Sequence, residues 1–295
     1  MSLVVKNLVK IYEGKKVVNN VSFKVNQGNV YGILGRNGAG KTTIIRMILN
    51  IINKDSGEIL FKGNKIDLLK SKIGYLPEER IIYNKNTVKG YLTYFAKLSG
   101  LKTKEAKDII NYWIERFNLE DKYNKVLDTL SKGNKQKVQI IATIINDPNI
   151  IIFDEPFSGL DPVNSQIFRN LVIELINKGK YILFSTHQMN YVEEFCDSLS
   201  ILKNGKQIVE GNILNIKKQY GRKKLLLEIE GNLPDLKIWG VSNIEKIKGI
   251  YNIQIENENI GEQILKILVH NKVKILNFSL KYKSLHEIFL DVVGD

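Results

Sequence analysis

The run "VYGILGRNGAGKTT", residues 30–43, constrains this chain more than any other stretch. Its first six residues are apolar and glycine-bounded, as in a buried strand. In "TTIIRMILNII", which follows, Ile44, Ile45, Ile48 and Leu49 mark a helix face. Between the two lies a complete Gly-x-x-x-x-Gly-Lys-Ser/Thr phosphate loop, in the strand-to-helix context that gives the pattern its force. Gly35, Gly38 and Gly40 let backbone amides converge on anionic oxygens, and the helix N-terminus adds partial positive charge. Lys41 is expected to reach the β and γ phosphates, and the Thr42 hydroxyl to meet Mg²⁺. Arg36, Asn37, Ala39 and Thr43 complete the expected phosphate-binding set.

A second apolar run, "IIIFDEP" at 150–156, delivers two carboxylates. Asp154 ends the strand, where a buried unpaired carboxylate is costly, and Mg²⁺ through water is its natural partner. Glu155 points to the other side if the strand geometry persists, placed to orient or deprotonate an attacking water. The two motifs define a nucleoside triphosphatase of the phosphate-loop class without fixing its branch. A GTP-specific member is expected to carry Asn-Lys-x-Asp, and "NKDS" at 53 and "NKNT" at 84 both lack the final aspartate.

The order of elements predicts an α/β fold. Strand patterns alternate with helical ones, and the period turns helical from about residue 86 to 146, which reads as a helical subdomain inserted into an open sheet. Thr87 and Thr103 are the expected N-caps of its first two helices, with Glu105 and Asp108 favouring Thr103. The pattern then returns to strands and helices through "YILFST" and "SLSILKNG". "KKQYGRKK", 217–224, reads as a polar link. Beyond it, three strand and two helix patterns predict a small α+β domain over 222–295, against 1–216 for the first domain.

Bulk properties exclude several alternatives. No apolar stretch approaches the roughly 20 residues that span a bilayer, and the N-terminus lacks a signal-peptide pattern. A single cysteine, Cys196, rules out an internal disulfide and suits a reducing compartment, where it is expected to pack. The chain carries a net charge of +13. Residues 1–220 hold 33 Lys and Arg against 21 Asp and Glu; residues 221–295 hold 11 against 10. Only 6 of the 44 basic residues are Arg, the type that reads bases and phosphates bidentately. Most of this charge is therefore read as solvated surface, and nucleic acid is not the expected partner.

Taken in order and spacing, the motifs resemble those of the ATP-binding subunit of an ATP-binding cassette (ABC) transporter, over residues 1 to about 215. The resemblance implies ATP and Mg²⁺ as cofactors and gives further residues a role. Tyr12 stands where an aromatic stacks on adenine. Glu78, in "GYLPEE", stands where the family usually has glutamine beside the metal and nucleotide. "LSKGN", 130–134, is similar to the signature loop LSGGQ, with Ser131 and Gly133 donating to a γ-phosphate. "SGLDP", 158–162, is similar to the D-loop, with Asp161 central, and His187 in "FSTHQM" to the switch histidine. The implied assembly is a homodimer or heterodimer of ATPase subunits, each phosphate loop facing the other subunit's signature loop. A separate integral membrane permease completes it, with this chain peripheral at the cytoplasmic face and soluble when isolated. The tail resembles the appendage of ABC-2 exporter ATPases, which include drug and sodium extrusion systems.

Departures from the family pattern leave choices open. A carboxylate only accepts hydrogen bonds where glutamine also donates, so Glu78 keeps the sensing role with altered Mg²⁺ preference, or Glu79 or neither residue performs it. Lys132 and Asn134 replace a glycine and a glutamine, with Lys135 and Lys137 in the same turn. That charge either tightens γ-phosphate binding or is solvated. A soluble ABC-type ATPase acting on ribosomes or nucleic acid is the rival reading.

Overall fold

The structure, a computed structural model, describes residues 1–67, 71–78, 85–157, 161–236 and 238–294, and its contacts divide the chain into two units, Met1–Glu210 and Gly211–Asp295. In the first unit the strands are β1 (Ser2–Tyr12), β2 (Lys15–Asn26), β3 (Val30–Gly35), β4 (Ser56–Phe61), β5 (Asn64–Lys65), β6 (Ile73–Leu76), β7 (Ile150–Asp154), β8 (Tyr181–Thr186), β9 (Ser198–Lys203) and β10 (Lys206–Asn212), which runs across the boundary. Its helices are α1 (Lys41–Ile48), α2 (Val88–Leu98), α3 (Thr103–Arg116), α4 (Lys132–Ile144), α5 (Pro162–Asn177) and α6 (Met189–Phe195).

Among the described residues the strands form one sheet in the order β5-β4-β1-β2-β10-β9-β3-β8-β7-β6. From β9 to β6 neighbouring strands are parallel, with β3 between β9 and β8. Such strands are covered on both faces, and β3, β7 and β8 are buried at every residue. On the other side β1 pairs antiparallel with both β2 and β4. A core of Val5, Phe23, Tyr31, Ile44, Ile152 and Leu183, with others, joins the two parts. Helices α2, α3 and α4 are inserted between β6 and β7, as the change of period predicts.

Local chemistry sets the boundaries. Thr87 caps α2 through Gly90 N–H, as expected. Thr103 does not cap α3: the helix already includes it, Lys102 is the N-cap residue, and the Glu105 carboxylate accepts from Lys102 N–H. Acidic Glu105 thus supplies the cap expected of the threonine.

The second unit contains α7 (Ile213–Tyr220), β11 (Arg222–Ile229), β12 (Val241–Ile247), β13 (Ile250–Ile255), α8 (Glu258–His270), β14 (Ile275–Tyr282) and α9 (Leu285–Val293). Its antiparallel sheet runs β12-β13-β11-β14, and Ile260, Ile264 and Leu268 of α8 close a core over Leu225, Leu227 and Ile253. The expected polar link at 217–224 is not a link. Lys217–Tyr220 end α7, Arg222 opens β11, and Gly221 at φ 70° turns between them. Helix α7 buries only Ile213 and Ile216, too short an apolar stripe to stand out among lysines.

Candidate functional site

Because β3, β6, β7 and β8 run parallel, their C-terminal ends share one sheet edge, where open α/β sheets place ligands. The four ends deliver the phosphate loop after Gly35, Glu78 beyond Leu76, Asp154 with Glu155, and His187 after Thr186. Residues far apart in sequence are thereby gathered into one site.

The loop wraps a cavity of about 360 Å³, lined by Val17, every residue from Arg36 to Thr43, and Glu78. Gly40 adopts φ 103° immediately before α1, and a Cβ there would lie 2.7 Å from the Val17 carbonyl oxygen. Gly205, in the β9–β10 turn at φ 77°, would meet the same oxygen at 2.4 Å, and its N–H donates to Ala39 O at 3.2 Å. The loop is therefore seated on a neighbouring hairpin that the motif does not include. An Asn204-Gly205 turn between strands is the sequence signal for it. The Lys41 ammonium, buried at the loop's base, donates to Gly35 O at 2.7 Å and Arg36 O at 3.4 Å. Thr42 and Thr43 follow in the first helical turn, half-buried.

Asp154 is 1 % exposed, and neither carboxylate oxygen has a hydrogen-bond partner. Burial pushes its pKa from 3.8 up to about 6; Glu78 and Glu155 add to the rise, while Ser185 and Lys41 pull the other way. Ser185 lies directly across the β7–β8 ladder, yet its hydroxyl is outside hydrogen-bond geometry. A buried carboxylate with two unused oxygens beside a lysine-seated phosphate loop fits a divalent cation arriving with phosphate oxygens. The Thr42 hydroxyl is the second donor available there.

Glu155 departs from the geometry expected of it. The strand does not persist: Glu155 takes φ 50°, a left-handed turn, and its buried carboxylate folds onto the end of β8. There it accepts from Thr186 Oγ1 at 2.9 Å and His187 N–H at 3.0 Å, and lies 2.7 Å from His187 Nδ1. Glu155 and His187, two of the three residues expected to be catalytic beside Lys41, are thus in direct contact. The His187 side chain is 59 % exposed and carries the pair to the surface of the site. Thr186 carries no motif role in the sequence, yet it sits one residue from His187 and holds the same carboxylate.

The remaining expected residues lie apart from this cluster. Ser131 is the N-cap of α4, accepting from Asn134 N–H at 3.4 Å, and Gly133 lies in the first turn. Among the described contacts none joins either residue to the phosphate loop. Asp161 caps α5 through Asn164 N–H at 2.8 Å; Ser158 to Leu160, and Glu79, fall outside the described residues. Tyr12 ends β1, exposed, with the Lys10 ammonium 5.1 Å over its ring. The expected solvated lysines behave differently from one another. Lys132 is exposed, and Lys135 pairs with Asp128 at 3.2 Å. Lys137 is buried, donates to Phe117 O at 2.9 Å, and has its pKa lowered by that burial. Its phase explains this: it shares a helix face with Ile141 and Ile144.

A groove of about 380 Å³ runs between β6 and the inserted helices, lined by Tyr75, Leu76, Tyr91, Phe95 and Leu98 among others. The helical spacing puts Leu98 on the packed face of α2, but it is 69 % exposed at the groove. No helix among the described residues is long and apolar enough to cross a membrane.

Comparison with known proteins finds a family match in each of the two units. The family model "ABC transporter" matches residues 18–158, and "ATP-binding protein DrrA1-3-like, C-terminal domain" matches 211–293. The uncharacterized ABC transporter ATP-binding protein YhaQ of Bacillus subtilis (strain 168) is 40% identical over 99% of this chain and 98% of its own length. The Nod factor export ATP-binding protein I of Rhizobium etli (strain ATCC 51251 / DSM 11541 / JCM 21823 / NBRC 15573 / CFN 42) is 35% identical over 68% of this chain and 65% of its own. A solved structure of an ATP-binding subunit of an ABC transporter superposes with a TM-score of 0.69 and 32% identity, covering 75% of this chain and 93% of that one.

Proposed function

From the premise that this chain belongs to the ABC transporter family as an ATP-binding, ATP-hydrolysing subunit, we propose that it dimerises on ATP and drives a separate membrane permease, in the direction of export. The observation carrying the catalytic part is the shared sheet edge, where Glu155, tied to His187, stands beside the Lys41 loop and the unpartnered Asp154.

In this reading the triphosphate enters the cavity of residues 36–43. Lys41 exchanges the carbonyl oxygens of Gly35 and Arg36, both neutral acceptors, for charged phosphate oxygens. Gly35, Gly38 and Gly40 allow the close approach of backbone, with Arg36, Asn37, Ala39, Thr42 and Thr43 around the phosphates. Thr42 and Asp154, with Glu78 at the cavity wall, would hold Mg²⁺, which supplies charge neutralisation on the phosphates. Tyr12 offers an exposed ring face to adenine. Glu155 accepts a proton from, or orients, the attacking water, and His187 holds its carboxylate and reaches the γ-phosphate.

The exposed N-terminus of α4 fits a γ-phosphate in a second subunit, since Ser131 and Gly133 meet no phosphate loop of their own chain among the described contacts. Asp161 lies at the same interface in this reading. In this reading the apolar groove beside Glu78 receives a short helix of the permease, and the chain sits peripherally at the cytoplasmic face. Support for export, and for the ABC-2 group, is the C-terminal match and the likeness to an export ATP-binding protein.

Glu155→Gln tests the catalytic core. ATP turnover is expected to fall by about 100-fold or more while an ATP-bound dimer accumulates in size-exclusion chromatography. Turnover near that of the wild type would remove Glu155 from the role of base.

A further inference from the structure

Among the described residues, side chains hold the turn that carries Glu155 at three points. Its carboxylate is bound by Thr186 and His187 at the end of β8. The Pro156 carbonyl accepts from Gln136 of α4. Phe157, buried, lies face to face with Tyr191 of α6, ring centroids 3.5 Å apart and 6° from parallel.

The third contact serves the reaction geometry. His187 lies just ahead of α6, and Tyr191 sits in that helix four residues on. The stack therefore joins the segment carrying Glu155 to the segment carrying His187 a second time, independently of their hydrogen bond. A half-exposed imidazole competes with water for its partner, so a single 2.7 Å contact does not by itself fix the ring. Phe157 cannot move to follow a wandering α6, because Phe168 of α5 at 5.1 Å and Phe184 of β8 at 6.2 Å also pack on it. Tyr191, by contrast, is half-buried, and among the described residues its ring contact is with Phe157.

We infer that Tyr191 is a positioning residue for hydrolysis: its ring, stacked on Phe157, keeps His187 and Glu155 in register. The inference rests on the reading of Glu155 as the group that handles the attacking water. The described contact uses the ring and not the hydroxyl, which defines the test.

Tyr191→Ala and Tyr191→Phe are compared in the full chain by ATP turnover, ATP affinity and the NMR ring signals of His187, with His270 and His286 as references. Tyr191→Ala is expected to lower kcat by about ten- to a hundredfold. It should leave ATP affinity within about twofold and shift the His187 ring signals alone. Retained affinity shows that the variant is folded. Tyr191→Phe should match the wild type in all three. A wild-type kcat with unmoved His187 signals in Tyr191→Ala overturns the inference, as does a Tyr191→Phe variant as impaired as Tyr191→Ala. Glu155→Gln separates the two levels. If it is inactive while Tyr191→Ala is normal, only the positioning role fails; if it stays active, the role of Glu155 fails and the inference with it.

Discussion

Asp154 carries an electrostatic cost that can be measured. Its folded-state pKa, about 6, lies above the ordinary 3.8, so the folded chain binds this proton more tightly than the unfolded chain does. Stability from this residue is therefore fully present below the unfolded value and is lost as pH rises toward 6. The whole shift corresponds to about 3 kcal/mol. With metal and nucleotide removed by chelator and dialysis, Asp154→Asn is expected to be more stable than the wild type at pH 7.5, and equal to it near pH 4. Denaturant unfolding at both values checks this, and equal stabilities at pH 7.5 would contradict it. This carboxylate is legible in the sequence, because an acid at the end of an apolar strand is costly unless a cation meets it. The conformation of Glu155 is not. A left-handed turn at a non-glycine residue has no pattern in the chain, and its strain is offset by bonds from residues distant in sequence, Thr186 and His187 among them. Lys137 is hidden for a related reason: three lysines in six residues look solvated until the helix is phased.

Elements with strong periodicity are legible, and those that rest on neighbours are not. The buried strands β3, β7 and β8 and the inserted helices follow from their apolar runs and periods. Strand β10 alternates exposed and half-buried residues without a fully buried position, and β12 lies at a sheet edge, almost wholly exposed. Neither carries enough apolar contrast to be read. Yet the β9–β10 turn bears directly on the site. At Gly205, alanine would have to hold φ 77° with its Cβ 2.4 Å from Val17 O, and neither the angle nor the carbonyl yields easily. Gly205→Ala is expected to destabilise the chain by about 2 kcal/mol or more. It should also weaken ATP binding, because the Gly205–Ala39 bond shifts with it. Thermal unfolding and nucleotide titration read the two effects separately, and wild-type values in both would show the loop to be independent of the hairpin.

For the molecule as a whole, the family is shown across the full length of the chain, while partner and direction are proposals. Copurification from detergent-solubilised membranes is expected to bring down a multi-spanning protein with this chain. Replacing Leu98 and Phe95 in the groove by glutamate should abolish that association without changing ATP affinity. Recovery with ribosomes, and with no membrane protein, would favour the rival reading. The order of the motifs suggests the dimer and the permease, and the exposed start of α4 and the apolar groove support that reading. Both concern surfaces that one chain leaves uncovered, and sequence patterns within a chain report mainly on what it buries.

Helix α4 is capped by Ser131, the residue proposed to face a neighbouring subunit, and five positions after that cap Gln136 grips the carbonyl beside Glu155. Those positions fix a phase as well as a length. Each residue of an α-helix advances about 1.5 Å and turns about 100°, so one residue inserted between them would aim Gln136 away from Pro156. The number of residues from serine to glutamine works like the tooth count of a gear: change it by one and the two ends turn out of mesh.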